Sequence, residues 1–542
     1  MRIWIFLASV VVVAVVPAGI GAAHRPPGNK RHGNQSFVEK VRFRRKLRRG
    51  FAESLTLLVA LLLAPGVAVA GTVERQSPWV ELAQTDLAAI RDNVLAIHPA
   101  VRDPQNPDFV ATTDAAYRAA LEQAQRAQSF LDWRATVGGF IQSFRDGHTF
   151  LRYNAQPSRV RWPGFLIDGR GGGYVAAAVV ADAGIMSGDR LVACDGIPID
   201  QLLKQRLDAK EADWSKPPER IRQAWRLFVD YDVDAAPPVR MCEIDRAGKT
   251  ASITLVWREG STPDLIAQSA PLQRSPAQRR PIALSYLADG AALIQIGSFG
   301  DEAKLGELAK AMTADRARLR AARYAVFDLR GNRGGNSTWG GTYGRILFGD
   351  PVVDALDEPA SGKFFRASTE AIGRLRLIAK EFREAGPAMA EVADYWTKIA
   401  DRVAASPDGD TKLFTDFLNA PVKKPHRPPV PAYRGPAYVL TDAGCFSSCV
   451  VAANILIKLG GINVGEVMGQ NEEYGEITGP IDLPSKLGRY WLPISIIRQR
   501  KEDLGGRPVV HAWAGAIDDD PGILAWIADL SKNTSSRASV KQ

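Results

Sequence analysis

The sequence predicts an α/β fold: a mostly parallel sheet covered by helices, preceded by a helical segment and a small β unit. Three observations carry this expectation. From Ile282 onward, short apolar runs alternate with helical patterns, as in a sheet built by crossover connections. Two of those runs, 325–329 and 438–440, end in turns rich in glycine or serine. Residues 163–258 read differently, as several β runs entered from glycine turns with little helix between them. At 542 residues the chain is too long for a single core. With 46% hydrophobic and 24% charged residues, its composition is that of a globular protein.

Residues 1–70 read as a leader. An apolar run, 3–20, follows Arg2, and a stronger export pattern comes after it. That second pattern has a basic stretch at 41–49, an apolar stretch at 55–63 and the small-x-small site Ala68-Val-Ala70. Export to the periplasm or beyond, with a mature start near Gly71, is expected; a retained membrane anchor is the alternative. The formal charge of +10 belongs mostly to this leader, where eleven Lys and Arg face only Glu39 and Glu53. The remainder is close to neutral, so a nucleic-acid partner is not expected.

Residues 71–155 form the helical segment. Trp79, Leu82, Leu87, Ile90, Val94 and Ile97 recur at helical spacing, and His98-Pro99 stops the run. Helices over 114–127 and 130–144 follow, and the last delivers Phe144-Arg-Asp-Gly-His-Thr-Phe-Leu151. His148 thus stands at a helix–turn–strand junction. That position suits a cleft-facing imidazole as well as an ordinary turn histidine. Residues 156–260 form the β unit, with strands over 171–180, 239–244 and 252–257 and a polar helix near 201–207.

Residues 275–535 form the α/β domain. A strand at 291–296 and a helix at 302–319 lead to Ala325-Val-Phe-Asp-Leu-Arg-Gly-Asn-Arg-Gly-Gly335, a strand running into a glycine turn before a helix from Ser337. Gly334 and Gly335 let a backbone approach a ligand closely and can present amides to a negative charge. A phosphate loop would require a Lys-Ser/Thr pair that is missing here. An insertion at 355–430, helical over 365–417 and proline-rich at 421–431, is expected to lie over the active edge as a lid. Next, 438–440 reads as a buried strand, Asp442-Ala-Gly444 as a turn and 450–459 as a buried helix. Ser447, between turn and helix, either caps the helix or acts as a nucleophile, with the Ser448 amide as an oxyanion donor. Strands near 462–464 and 490–498 and a helix at 521–530 complete the chain.

Cys194 and Cys242 share the β unit, and Cys445 and Cys449 flank the serine pair. Either pair suits a disulfide in an oxidising compartment. The second pair also has metal-ligand spacing, but no other Cys/His pair lies near it, so no metal is expected.

The pattern Gly-x-x-x-Gly-Asp-x-Leu-Val at 184–192 resembles the PDZ domains of exported proteases, which bind peptides as an added strand; a plain spacer is the alternative. In order, the helical segment, Asp-Gly-His-Thr, the PDZ-like unit, the 328–335 turn, Phe446-Ser-Ser448 and Val464-Gly-Glu466 resemble the tail-specific and tricorn-like serine peptidase family. That resemblance implies a crotonase-like sheet-and-helix catalytic domain with Ser447 as nucleophile. The tail-specific branch uses a lysine base after the Val-Gly-Glu segment, and 467–479 contains none. The tricorn-like branch uses the histidine that matches His148, with a downstream glutamate matched by Glu502 or by Glu476. Ser448, Gly334 and Gly335 would form the oxyanion site. Val450 departs from the acid that commonly follows the nucleophile. The implied activity is hydrolysis of peptides or unfolded proteins by an exported enzyme without cofactor or metal. The alternatives are a non-catalytic peptide or hydrophobic-ligand binder on the same fold, and a crotonase-type acyl-thioester enzyme, which export disfavours.

Overall fold

The computed structural model describes residues 77–208, 210–274, 280–356, 362–406, 429–470, 472–498 and 505–539. The leader, Glu502 and residues 407–428 of the insertion lie outside these residues.

The apolar runs of the C-terminal half assemble into a six-stranded sheet. Its order is Ile282–Tyr286, Ala292–Ile296, Ala325–Asp328, Ala437–Thr441, Ile462–Gly465 and His511–Ala512. Only the first pair is antiparallel; the other pairings are parallel. Side chains alternate across this sheet as a strand's two-residue period requires. Phe327 and Val439 face one hydrophobic core with the helices Glu302–Ala314, Thr338–Phe348 and Ser448–Lys458. Val326, Tyr438 and Leu440 face another, closed by Ile523 and Ile527 of the helix Asp520–Ser539. Burial on both faces explains why these strands read as continuous apolar runs.

The β unit is a second, antiparallel sheet of six strands: Leu166–Arg170, Gly173–Ala177, Arg190–Cys194, Ile197–Pro198, Met241–Arg246 and Lys249–Thr254. Cys194 and Cys242 sit opposite each other in its register and are bridged. The N-terminal helices Pro78–Ile97, Phe109–Ala124 and Phe130–Gln142 form another body. Ser77 and Ser129 cap two of them, as their positions before the apolar runs suggest.

Several expectations change in detail. The helix expected over 302–319 is two helices, Glu302–Ala314 and Arg316–Ala321, separated at Asp315. The strand expected over 490–498 is also two, Gly488–Trp491 and Pro493–Arg498, which pair with different partners. The insertion differs most. Its helices Thr369–Glu384 and Ala390–Ala404 share a hydrophobic core with the N-terminal helices, through Leu375, Phe382, Trp396 and Val403. Over its described part the expected lid is therefore packed into the N-terminal helical body. Its leading strand, Gly362–Phe365, pairs with Pro493–Arg498.

The helices Thr338–Phe348 and Ser448–Lys458 touch through Gly340, where an added Cβ would lie 2.7 Å from Ala452 Cα. Backbone contact at that range leaves no room for a side chain. Gly340→Val should cost about 1–3 kcal/mol in urea unfolding. The neighbouring Gly341 has nothing within 4 Å of such a Cβ. Gly341→Ala should raise stability by about 0.5–1 kcal/mol. Equal effects at the two positions would contradict this packing.

Candidate active site

Parallel pairing aligns Asp328 with Leu440, so the turns that follow the two strands emerge side by side at one edge. The first turn is pinned by Asn332. Its Nδ2 donates to the Ile296 carbonyl at 2.9 Å, its Oδ1 accepts from the Gly334 amide at 2.9 Å, and its carbonyl accepts from the Phe446 amide at 3.2 Å. Arg330 steadies the base of the turn by gripping Asp328 at 2.9 and 2.7 Å. Gly334 has φ +102°, and a Cβ there would stand 3.1 Å from the Ser448 amide and 3.2 Å from Ser447 Cβ. A glycine is needed at this position for its backbone conformation and for the approach.

The second turn presents Ser447. Its φ of 57° and ψ of −125° are unusual for a residue with a side chain, and this strained geometry sets the hydroxyl at a strand–turn–helix junction. Ser447 occupies the N-cap position of the helix Ser448–Lys458 but makes no side-chain cap hydrogen bond. Its Oγ instead lies 3.0 Å from His148 Nε2. The bridge between Cys445 and Cys449 brackets the turn, and the Ser447 amide donates to the Gln470 carbonyl at 3.3 Å. With both cysteines bridged, the metal-ligand alternative for this pair has no thiolates to use.

His148 arrives from the far end of the sequence. The turn Asp146–Thr149 is closed by Asp146, whose Oδ1 accepts from the His148 amide and Oδ2 from the Thr149 hydroxyl, both at 3.0 Å. The strand Phe150–Tyr153 then pairs with Gly488–Trp491 and holds the turn against the α/β domain. His148 Nδ1 lies 2.6 Å from the Tyr474 carbonyl oxygen. A carbonyl only accepts, so Nδ1 carries the proton and donates, and Nε2 keeps its lone pair for the Ser447 hydroxyl. The Tyr474 hydroxyl in turn donates to Asp103 at 2.9 Å and accepts from Asn106 at 3.0 Å, which fixes the residue whose carbonyl orients the ring. Ser447 and His148 are 7% and 4% exposed, so their hydrogen bond is largely shielded from water.

Carboxylates surround the pair without bonding the imidazole. Asp146 Oδ1 is 3.9 Å from Nδ1, and burial pushes the Asp146 carboxyl up to about 6 against the pull of His148. Glu476 is buried and ion-paired with Lys363, while both His148 ring nitrogens are committed elsewhere. Glu476 therefore does not orient the ring. Among the described residues that role falls to a backbone carbonyl. Glu502 lies outside the described residues. The two glycines of the first turn also separate, because the Gly334 amide is taken by Asn332. The Ser448 and Gly335 amides have no partner among the described residues. Val450 is buried in the sheet's hydrophobic core.

Three of these residues went unassigned in the sequence reading. Asn332 and Asp146 lie inside quoted motifs, and an Asn before two glycines is a signal for an Asx turn. The Tyr474 contribution is a main-chain oxygen and leaves no mark in the side-chain pattern.

Behind the Ser447 turn, Asp442 accepts from the Gly331 amide at 2.8 Å and the Gly444 amide at 3.0 Å, joining the two turns. Burial, with Glu466 nearby, pushes its carboxyl up to about 7. The unfolded chain releases this proton near the ordinary aspartate range, about 3.9. The stability Asp442 contributes is therefore fully present below that range and declines as pH rises toward about 7. Urea titrations should show wild-type stability, relative to Asp442→Asn, falling across that window. A difference that stayed flat would contradict the assignment.

No protein-family model and no curated protein matches the chain. Among solved structures, mature CPAF complexed with lactacystin matches with a TM-score of 0.55 at 15% identity, over 85% of this chain and 99% of that one. Mature CPAF matches with a TM-score of 0.54 at 14% identity, over 82% of this chain and 94% of that one. The tricorn protease matches with a TM-score of 0.33 at 12% identity, over 84% of this chain and 37% of that one. The chain has the fold of mature CPAF.

Proposed function

We propose that the protein is an exported serine peptidase that hydrolyses peptides or unfolded proteins through an acyl-enzyme on Ser447. The observation that carries the reading is the 3.0 Å contact between His148 Nε2 and Ser447 Oγ, with Nδ1 held by a carbonyl at 2.6 Å. This is the arrangement of a nucleophile, a general base and a group that orients the base. His148 takes the hydroxyl proton as Ser447 Oγ attacks the scissile carbonyl, and the Oγ–C bond forms. The oxyanion is received by the Ser448 amide at a helix N-terminus, with Gly335 as the second donor, and one such donor contributes about 3 kcal/mol in the transition state. His148 then gives its proton to the departing amine, and water attacks the acyl-enzyme by the same route. The Tyr474 carbonyl keeps the imidazole in the tautomer that accepts, a role that requires no side-chain acid.

Export is supported by the leader pattern and by the two disulfides, which persist in oxidising compartments. N-terminal sequencing of the protein from its natural compartment should begin within a few residues of Gly71. An intact Met1 on a cytoplasmic product would refute export.

The non-catalytic binder on the same fold predicts a serine that reacts with nothing. A serine-directed phosphonate should label Ser447 covalently. Ser447→Ala should fold with unchanged unfolding behaviour yet lose hydrolysis of unfolded casein. His148→Ala should lose activity to a similar degree, and the double variant should be no worse than either single one, because the two groups act as a unit. Full activity in either single variant would overturn the mechanism.

A further inference from the structure

The first turn carries one charge that neither the fold nor the proposed hydrolysis uses. Arg333 stands between Asn332, which pins the turn, and Gly334, which faces Ser447. Neighbouring arginines are committed. Arg330 holds Asp328 at 2.7 Å, Arg274 holds Glu466 at 2.8 Å, and Arg222 holds Glu219 at 2.6 Å. The Arg333 guanidinium has no carboxylate, carbonyl or hydroxyl partner among the described residues. It lies over the Phe446 ring, 5.7 Å from the centroid.

This cation is poorly compensated. The side chain is half-buried, and burial first, then the Arg222 charge, push it down to about 10. Arg152 adds to the repulsion. Of the two acids that oppose this, Glu219 is bonded by Arg222 and Asp442 by two backbone amides. A desolvated cation without a counter-charge is costly, and an arriving anion relieves that cost.

The location narrows the choice of anion. Phe446 also packs against His148, with ring centroids 5.0 Å apart. The guanidinium and the imidazole therefore contact one aromatic ring and lie within about three extended residues of each other. His148 is the group that protonates the departing amine, so the leaving side of the scissile bond runs past it.

We propose that Arg333 binds a carboxylate of the substrate on the leaving side of the scissile bond. The carboxylate is either an acidic side chain or the terminal carboxylate of the substrate chain. This inference rests on the peptidase reading. A planar guanidinium takes a carboxylate through two parallel hydrogen bonds, and an aromatic face beneath it helps hold the plane. Arg333 is a specificity-determining residue and transfers no proton.

The test uses the full mature chain and four synthetic peptides built on one sequence cut from casein. Each carries Glu or Gln on the leaving side and ends in a free acid or an amide. The wild type should favour carboxylate-bearing peptides in kcat/KM by on the order of tenfold or more. In Arg333→Met that ratio should fall to about one, and Arg333→Lys should keep part of it. Loss of the preference on amidation assigns the terminal carboxylate, and loss on Glu-to-Gln exchange assigns the side chain. A wild-type ratio near one in both comparisons overturns the proposal while hydrolysis stands. If casein is not cleaved at all, the peptidase reading fails. The carboxylate site is then judged by fluorescence anisotropy of the same four peptides, with a casein segment as their common sequence. Equal affinity for charged and neutral forms overturns it, and a charge preference lost in Arg333→Met supports it. Should Arg333→Met not fold, the wild-type ratios and the Lys variant decide.

Discussion

Parallel pairing of Ala325–Asp328 with Ala437–Thr441 is the constraint on which the candidate site depends. Parallel neighbours end at the same edge, so any turn chemistry placed after one strand meets that placed after the other. The glycine turn and the serine turn are thereby brought together, and Asn332 and Asp442 each bond across the gap. The strain held in Ser447 is sustained because both flanks are fixed. The sheet holds one side, and the Cys445–Cys449 bridge with its helix holds the other. Shifting the register by one residue would reverse the buried faces of the strand and separate the turns together.

The imidazole is held by a different device. Its carrier turn belongs to the N-terminal helical body, and the pairing of Phe150–Tyr153 with Gly488–Trp491 ties the strand after that turn to later sequence. Hydrogen bonding to a main-chain carbonyl sets the tautomer and orientation of the ring without adding a charge. The nearby acid, Asp146, is spent on closing its own turn. Burial raises its carboxyl to about 6 against the pull of His148, and the imidazole takes its orientation from a neutral carbonyl instead.

Arg274 joins the antiparallel β unit to the Ser447 turn. It is fully buried, pairs with Glu466 at 2.8 Å, and donates to the Gly169 carbonyl at 3.2 Å on a strand of that unit. Glu466 in turn accepts from the Ala443 amide at 3.2 Å. Burial opposes the Arg274 charge, yet Glu466 and Asp168 hold it above the ordinary arginine range. Ion pairs of this kind contribute little net stability, but breaking one partner is expensive. Their effect is to fix how two sheets sit, here at the base of the loop that carries Ser447. No local sequence signal marks Arg274, because its partners lie in separate segments.

Local signals sufficed for the alternating strands and helices, the N-terminal helices, and the two turns that carry His148 and Ser447. Each is written in neighbouring residues: apolar periodicity, a serine before a helix, glycines where the backbone must turn. The insertion shows where such signals end. Its helical character was legible, but which core receives the apolar faces was not, and they pack on the N-terminal helices. The choice between cap and nucleophile for Ser447 was equally undecidable from its neighbours, since both place serine at the same position. Tertiary structure settled the geometry by bringing His148 within 3.0 Å across 299 residues of sequence, and by supplying the Tyr474 carbonyl. Side-chain chemistry is encoded residue by residue, whereas a main-chain oxygen is common to every residue. Only the folded chain decides which one points at a ring.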